Sequence, residues 1–338
     1  MFKIGYKASA EQFGSRQLLN FALQAERLGL DSVWVSDHFQ PWRHTGGQAP
    51  FSLSWLGALG ALTSRIQMGT SVLTPSFRYH PSVVAQAFAT LGSLFPGRVA
   101  LGIGTGESLN EVPPTGMPWP DQKERTARFK EAVQLIRRLW SEQRLNFQGQ
   151  FYTTVAATIY DRPDVPVPIY VAGAGPVMAR FAGEKADGFI CTSGKKWELY
   201  TDTLLPGLQA GLEKAGRPAA AVERMIEIKL SLDPDADRAL RDTRFWGALA
   251  LTAEEKMNVE DPLQMERLAD ALPIERAASR WIVSSDPAQA LERIRPYVRL
   301  GFNHLVFHAP GPDQGRFLEF FAARLAPLLR AEFTPAAG

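Results

Sequence analysis

Eight short apolar runs, at residues 2–7, 32–36, 66–73, 99–104, 168–172, 188–192, 225–232 and 304–308, are separated along this chain by segments with helical spacing. Short, largely apolar runs such as these read as strands of a buried parallel sheet, which helices packed on its faces hide from water. The segment 17–26 carries apolar residues at helical spacing and stops at Gly29. Similar patterns cover 81–95, 123–142, 177–186, 197–216 and 287–300. Strand and helix alternating eight times is the count of an α/β fold of the (β/α)8 TIM barrel type. An open doubly wound sheet is the competing arrangement. Against it, the first strand runs into Lys7-Ala8-Ser9-Ala10-Glu11, where such a sheet would carry a Gly-x-Gly-x-x-Gly turn.

Two stretches, 145–160 and 233–282, break the rhythm, and one barrel domain spanning 1–338 is expected with insertions near 39–50, 107–121, 143–165 and 233–282. Within the third, 145–160 alternates around Gly149 and predicts a hairpin. The fourth is long enough to cover the barrel mouth, and 334–338 are expected to fray. A net charge of +2 implies no polyanion-binding surface, so no nucleic-acid partner is expected. No apolar run is long enough to span a bilayer, and the N-terminus lacks a signal-peptide pattern. The single cysteine, Cys191, rules out an internal disulfide; together these features predict a cytoplasmic protein away from membranes.

In a barrel, chemistry gathers where the strands end. Those ends supply residues 7–11, Asp37-His38, 71–75, 105–107, 172–175, 192–195 and His308. The densest is Ser36-Asp37-His38-Phe39-Gln40-Pro41-Trp42-Arg43, which bunches an acid, an imidazole and an indole where a strand opens into a loop. Alone it also reads as a capping aspartate and a satisfied core histidine; titratable and glycine residues at the other ends favour a site. Glycine runs at 104–106 and 173–175 let backbone approach a flat or phosphorylated ligand. The second leads into a helix near Pro176, whose free N–H groups can hold a phosphate. Lys195, Lys256 and Arg280, taken singly, read as solvated surface cations. The five histidines show no ligand spacing beyond His304 and His308, which read as one core and one rim residue, so no metal is expected.

The segments Tyr6-Lys7-Ala8-Ser9-Ala10-Glu11-Gln12-Phe13, Val35-Ser36-Asp37-His38-Phe39-Gln40-Pro41-Trp42-Arg43-His44, Gly69-Thr70-Ser71-Val72-Leu73-Thr74-Pro75 and Gly102-Ile103-Gly104-Thr105-Gly106-Glu107 strongly resemble the F420-dependent glucose-6-phosphate dehydrogenases of actinobacteria. Asp187-Gly188-Phe189-Ile190-Cys191-Thr192-Ser193-Gly194-Lys195 and Asn303-His304-Leu305-Val306-Phe307-His308-Ala309-Pro310-Gly311 match as well, so the likeness runs over essentially the whole chain. That family belongs to the luciferase-like TIM barrels, uses the 8-hydroxy-5-deazaflavin coenzyme F420, and is typically homodimeric. The resemblance implies oxidation of a hexose 6-phosphate, first of all D-glucose 6-phosphate, at its anomeric carbon, giving 6-phosphogluconolactone and reduced F420.

By the same resemblance His38 is the base for the anomeric hydroxyl, Glu107 the acid that protonates the deazaflavin, and Trp42 the aromatic at the reaction centre. Asp37, Ser71, Val72, Thr74, Thr105, Gly106 and Asn110 fall on cofactor positions, with a cis peptide between Ser71 and Val72. Ala174, Gly175, Val177 and Met178 fall there too, among the positions that hold the deazaflavin and its phosphate tail. Thr192, Lys195, Lys256 and Arg280 fall on the sugar-phosphate pocket, which overturns the surface reading of those cations. Two departures stand out: Met257 replaces the family's histidine after the lysine, and 110–117 contains Pro113-Pro114. Loss of a polar reader predicts that mannose and fructose 6-phosphates are accepted beside glucose 6-phosphate. Two other readings share the barrel: a flavin-dependent luciferase-like monooxygenase, which needs neither the cation set nor Glu107, and a non-redox sugar-phosphate isomerase or binding barrel using His38 and Glu107 as an acid–base pair.

Overall fold

The computed structural model describes residues 1–334, so the fraying expected of 335–338 lies outside the described residues. Strands β1 (Lys3–Ala8), β2 (Ser32–Val35), β3 (Gln67–Thr70), β4 (Val99–Ile103), β5 (Ile169–Ala172), β6 (Gly188–Thr192), β7 (Glu223–Leu232) and β8 (His304–His308) pair in parallel, each with the next. β8 closes onto β1 in the register Lys3↔His304 to Tyr6↔Phe307, completing the barrel. These are the eight strands the sequence predicts. The third stops at Thr70, just before a Ser71–Val72 peptide that is cis.

The period of two along each strand sorts side chains into two layers. Ile4, Tyr6, Val33, Val35, Leu101 and Ile103 face outward into the core shared with the helices. Trp34, Ala100, Tyr170, Ile190, Met225 and Val306 point inward and fill the barrel axis. The Trp34 and Tyr170 rings meet at 5.1 Å, and Gly188 makes room for them, since a Cβ there would lie 2.0 Å from the Tyr170 ring. Burying each ring stabilises the fold by roughly 1.5–3 kcal/mol. Beneath this plug a polar knot seals the N-terminal pole: the Glu223 carboxylate takes Lys3 at 2.6 Å and the His304 ring at 2.5 Å, and His304 meets Ser32 Oγ at 2.6 Å. The plug leaves only the C-terminal ends of the strands open.

The predicted hairpin forms from Leu145–Gln148 and Thr153–Ala157. The segment 233–282 holds helices Ala236–Asp242, Pro262–Asp270 and Ile274–Ala278 and the 3-10 turns Thr243–Ala250. It builds a small core of its own from Ala248, Leu251, Val259, Met265, Ala269 and Leu272, with Trp42 packed against it. Arg43 clasps the loop after β2 to it through Glu266 at 3.1 Å and Asp270 at 2.9 Å. Three features depart from the sequence reading. Ile282–Ser284 is a ninth strand, paired with the far end of β7. Helix Ser52–Leu62 was not anticipated, because its residues are apolar nearly all round and show no stripe. The C-terminal helices Gln314–Phe320 and Ala326–Phe333 were likewise unread. No helix among the described residues is long and apolar enough to cross a membrane.

Candidate active site

A cavity of about 450 Å³ opens at the C-terminal ends of the strands. All but three of the site residues expected from the sequence line it; the exceptions are Gly175, Val177 and Met178. Gly175 caps helix Pro176–Lys185, Val177 is 55% exposed away from the cavity, and Met178 is buried in the core. What this segment offers a ligand is backbone. The first helical hydrogen bond runs from Ala179 N to Gly175 O, so the N–H groups of Val177 and Met178 precede it.

His38 sits with Nε2 3.3 Å from Glu11 Oε1, and with Nδ1 3.1 Å from both the Gln40 carbonyl and Asn110 Nδ2. Glu11 is buried and accepts the Ser36 hydroxyl at 2.5 Å. Burial alone would push its carboxyl up, but His38, Lys7 and that hydroxyl together hold it below the usual carboxylate range. Glu11 belongs to the strand end 7–11, but the sequence alone assigns it no role. The signal was the rule that singled out His38: an acid just past the end of a strand. Asp37 is occupied inside the protein. Its carboxylate takes Ser52 Oγ at 2.5 Å, Arg78 Nη2 at 2.6 Å and the Tyr79 hydroxyl at 3.0 Å, so it braces the loop rather than presenting a free carboxylate.

Glu107 leads into helix Ser108–Thr115, and its carboxyl faces the cavity. Desolvation by the surrounding protein lifts it above the usual range, outweighing the pull of His38 and Lys256. A carboxyl so placed holds its proton closer to neutrality. Across Gly106, whose φ of +84° suits glycine, the wall continues to Thr74 and Val72.

Lys195 follows β6, while Lys256 and Arg280 come from the 233–282 segment, yet all three line the same cavity. Arg280 is pinned by the carbonyls of Leu249 at 3.0 Å and Ser193 at 3.3 Å, and the Lys256 ammonium lies 5.1 Å from the centre of the Trp42 ring. Burial, with Arg280, Lys256 and Lys229 nearby, lowers Lys195 to about 8. Among the described residues none of these three cations forms a salt bridge, although Lys3, Arg43 and Arg78 all do. Cations crowded together with no salt-bridge partner suit an anion.

The cavity floor carries a network that the sequence did not disclose. Glu227 takes Lys229 at 2.9 Å, Lys7 at 3.4 Å and His308 Nδ1 at 3.3 Å, and Lys7 also donates to the Ser71 carbonyl. Burial opposes the charge on Glu227, but the two ammoniums hold it well below the usual range. Met257 is 64% exposed and does not line the cavity, so the looser pocket expected from it loses the contact on which it stood.

The family model for luciferase-like monooxygenases matches residues 1–304. An F420-dependent glucose-6-phosphate dehydrogenase of Beutenbergia cavernae is 63% identical over 331 residues, covering 98% of each chain. Its counterpart in Nakamurella multipartita is 62% identical over 329 residues, covering 97% of each. Among solved structures, an F420-dependent secondary alcohol dehydrogenase in complex with an F420-acetone adduct superposes with a TM-score of 0.88 at 32% identity, over 95% of this chain and 97% of that one. The F420-dependent tetrahydromethanopterin reductase of Methanopyrus kandleri shares the fold with a TM-score of 0.79 at 19% identity, over 97% of this chain and 99% of that one.

Proposed function

We propose how the cavity works from the premise that this chain belongs to the F420-dependent glucose-6-phosphate dehydrogenases, within the luciferase-like family. It is an oxidoreductase that converts glucose 6-phosphate to 6-phosphogluconolactone with F420 as hydride acceptor. The observation that carries the site assignment is the convergence of Lys195, Lys256 and Arg280, none of them in a salt bridge among the described residues, in the cavity that also holds His38 and Glu107.

The residues present suit the cofactor. The leading N–H groups of Val177 and Met178 offer donors to an anionic tail, and Thr74, Thr105, Gly106 and Val72 form a close wall for a flat ring. When bound, F420 supplies the acceptor for the hydride. The protein supplies the rest. Lys195, Lys256 and Arg280 hold the phosphate through charge-assisted hydrogen bonds, and Thr192 stands beside them. His38 takes the proton of the anomeric hydroxyl at Nε2, beside Glu11; an imidazole, whose ordinary pKa is ~6.5, suits that task. Glu107, whose carboxyl desolvation lifts above the usual range, would be the proton donor to the cofactor ring. Trp42 spans His38, at 5.8 Å between rings, and Lys256, tying the phosphate end to the reacting end. The same reading carries a cytoplasmic homodimer, which native mass measurement checks.

The relatives at above 60% identity favour this reading over a monooxygenase or an isomerase. Mixing the protein with oxidised F420 should leave the visible band intact until glucose 6-phosphate is added, and then bleach it. A bleach that needs molecular oxygen, or sugar-phosphate turnover without F420, overturns the proposal.

A further inference from the structure

Gln40 does not line the cavity, yet its side chain joins two of the pieces that build the cavity mouth. Its amide nitrogen lies 2.9 Å from the Leu109 carbonyl and 3.1 Å from the Glu260 carbonyl. Both partners can only accept, so the NH2 group is the end that faces them, with one hydrogen for each. The backbone beside it is fixed as well, because the N–H groups of Phe39 and Gln40 both donate to Asn110 Oδ1, at 2.9 and 3.2 Å.

The Leu109 carbonyl is open for a reason. In helix Ser108–Thr115 it would ordinarily take the N–H of residue 113, but Pro113 has none to give. The Pro113-Pro114 pair, which departs from the family pattern, thus frees a carbonyl for Gln40. The Glu260 carbonyl ends the strap 252–260, which carries Lys256. The turns of that strap close on themselves, Lys256 N–H donating to the Thr252 carbonyl and Val259 N–H to the Lys256 carbonyl, both at 3.2 Å. Its Glu255 pairs with Arg276, inside the same 233–282 segment, and Val259 sits in that segment's own small core. Among the described residues, the bond from Gln40 is the one hydrogen bond that joins the strap to the barrel. The helix has other anchors: Asn110 holds the loop after β2, and Glu111 accepts the Arg78 backbone N–H at 2.9 Å. Without the Gln40 amide the strap is released and the helix is not.

We infer that Gln40 is a positioning residue that latches the Lys256 strap to the helix after Glu107, and so sets where the Lys256 ammonium stands in the cavity. This rests on the reading of Lys256 as a phosphate cation. It gives a task to a residue that touches neither phosphate nor cofactor ring, and to the proline that frees its partner.

The test is Gln40→Met, which keeps the length of the side chain and removes both donors. In the enzyme with F420, KM for glucose 6-phosphate should rise about three- to tenfold, the effect of losing one neutral hydrogen bond, while kcat stays within about twofold. In a Lys256→Ala background the same substitution should change KM by less than about twofold, because the group it positions is gone. Amide hydrogen exchange in the free protein should speed up over 252–260, with no turnover needed to see it. Equal fold-changes in KM on both backgrounds, or an unchanged KM with exchange over 252–260 as in wild type, overturn the inference. If Lys256→Ala itself leaves KM unchanged, the phosphate reading falls. The latch is then tested by exchange alone, and unaltered exchange over 252–260 in Gln40→Met overturns it.

Discussion

Lys256→Ala removes the one cation of the proposed phosphate site that also acts on Glu107, the proposed acid. Its ammonium lies over Trp42 and faces a cavity shared with Lys195, Arg280 and Glu107. A hydrogen bond from a charged donor contributes ~1.5–3 kcal/mol, so losing it should raise KM for glucose 6-phosphate roughly 10- to 150-fold. Two further effects carry a definite sign. Lys256 helps to lower both Glu107 and Lys195, the latter to about 8, so in its absence both groups should titrate higher. The alkaline limb of kcat/KM, where Glu107 ionises and Lys195 loses its charge, should therefore shift to higher pH as the affinity drops. Initial rates of F420 reduction across pH 6–10 and a range of sugar-phosphate concentrations measure both quantities together. A KM changed by less than about threefold, or a limb that stays put or moves down, would refute the idea that these charges share one phosphate.

Replacing His38 with alanine should slow the chemical step by about 10²–10⁴-fold with a smaller change in KM, read from single-turnover bleaching. Glu107→Gln should bind F420 with near-normal affinity, measured by fluorescence titration, yet reduce it slowly, because the amide has no acidic proton to give. At the N-terminal pole, Glu223 is held at about 2, below its ordinary value of 4.5, since His304 and Lys3 outweigh the effect of burial. A depressed carboxylate stabilises the fold above its unfolded pKa and loses that contribution as pH falls from about 4.5 toward 2, here on the order of 3 kcal/mol. Urea melts of wild type and Glu223→Gln should converge over that window, and parallel curves would contradict the assignment. Met257→His should leave the ratio of kcat/KM for glucose and mannose 6-phosphates within about threefold, because that side chain stands outside the cavity. Fructose 6-phosphate should bind without turnover, since its anomeric carbon carries no hydrogen to leave as hydride, which corrects the expectation that it is a substrate.

The barrel was legible because its strands are short, largely apolar runs and most of the helices between them are striped, and both patterns are local. Ser52–Leu62 lacks the stripe and Ile282–Ser284 is too short to show a period, so each was missed. His38 and Glu107 could be read as a site because they stand where strands end. Lys195, Lys256 and Arg280 could not be found by spacing; they come together only when the barrel closes and the 233–282 segment folds over it. The resemblance alone singled them out. Glu227 and Lys229 sit inside a strand at the inward positions of its period, so the pattern that made β7 recognisable concealed its chemistry. Val177 and Met178 show the opposite case: matched as positions, they turn their side chains away from the cavity and present only backbone.

The central claim is that hydride leaves the anomeric carbon of a sugar phosphate held here and goes directly to F420. Glucose 6-phosphate carrying deuterium at C1 tests it most directly, with the bleaching rate followed under single turnover and the reduced cofactor analysed by mass. The account predicts a slower bleach than with protium and one deuterium in the reduced deazaflavin for each lactone formed. Bleaching at an unchanged rate that leaves the deuterium in the sugar or releases it to water would contradict the account.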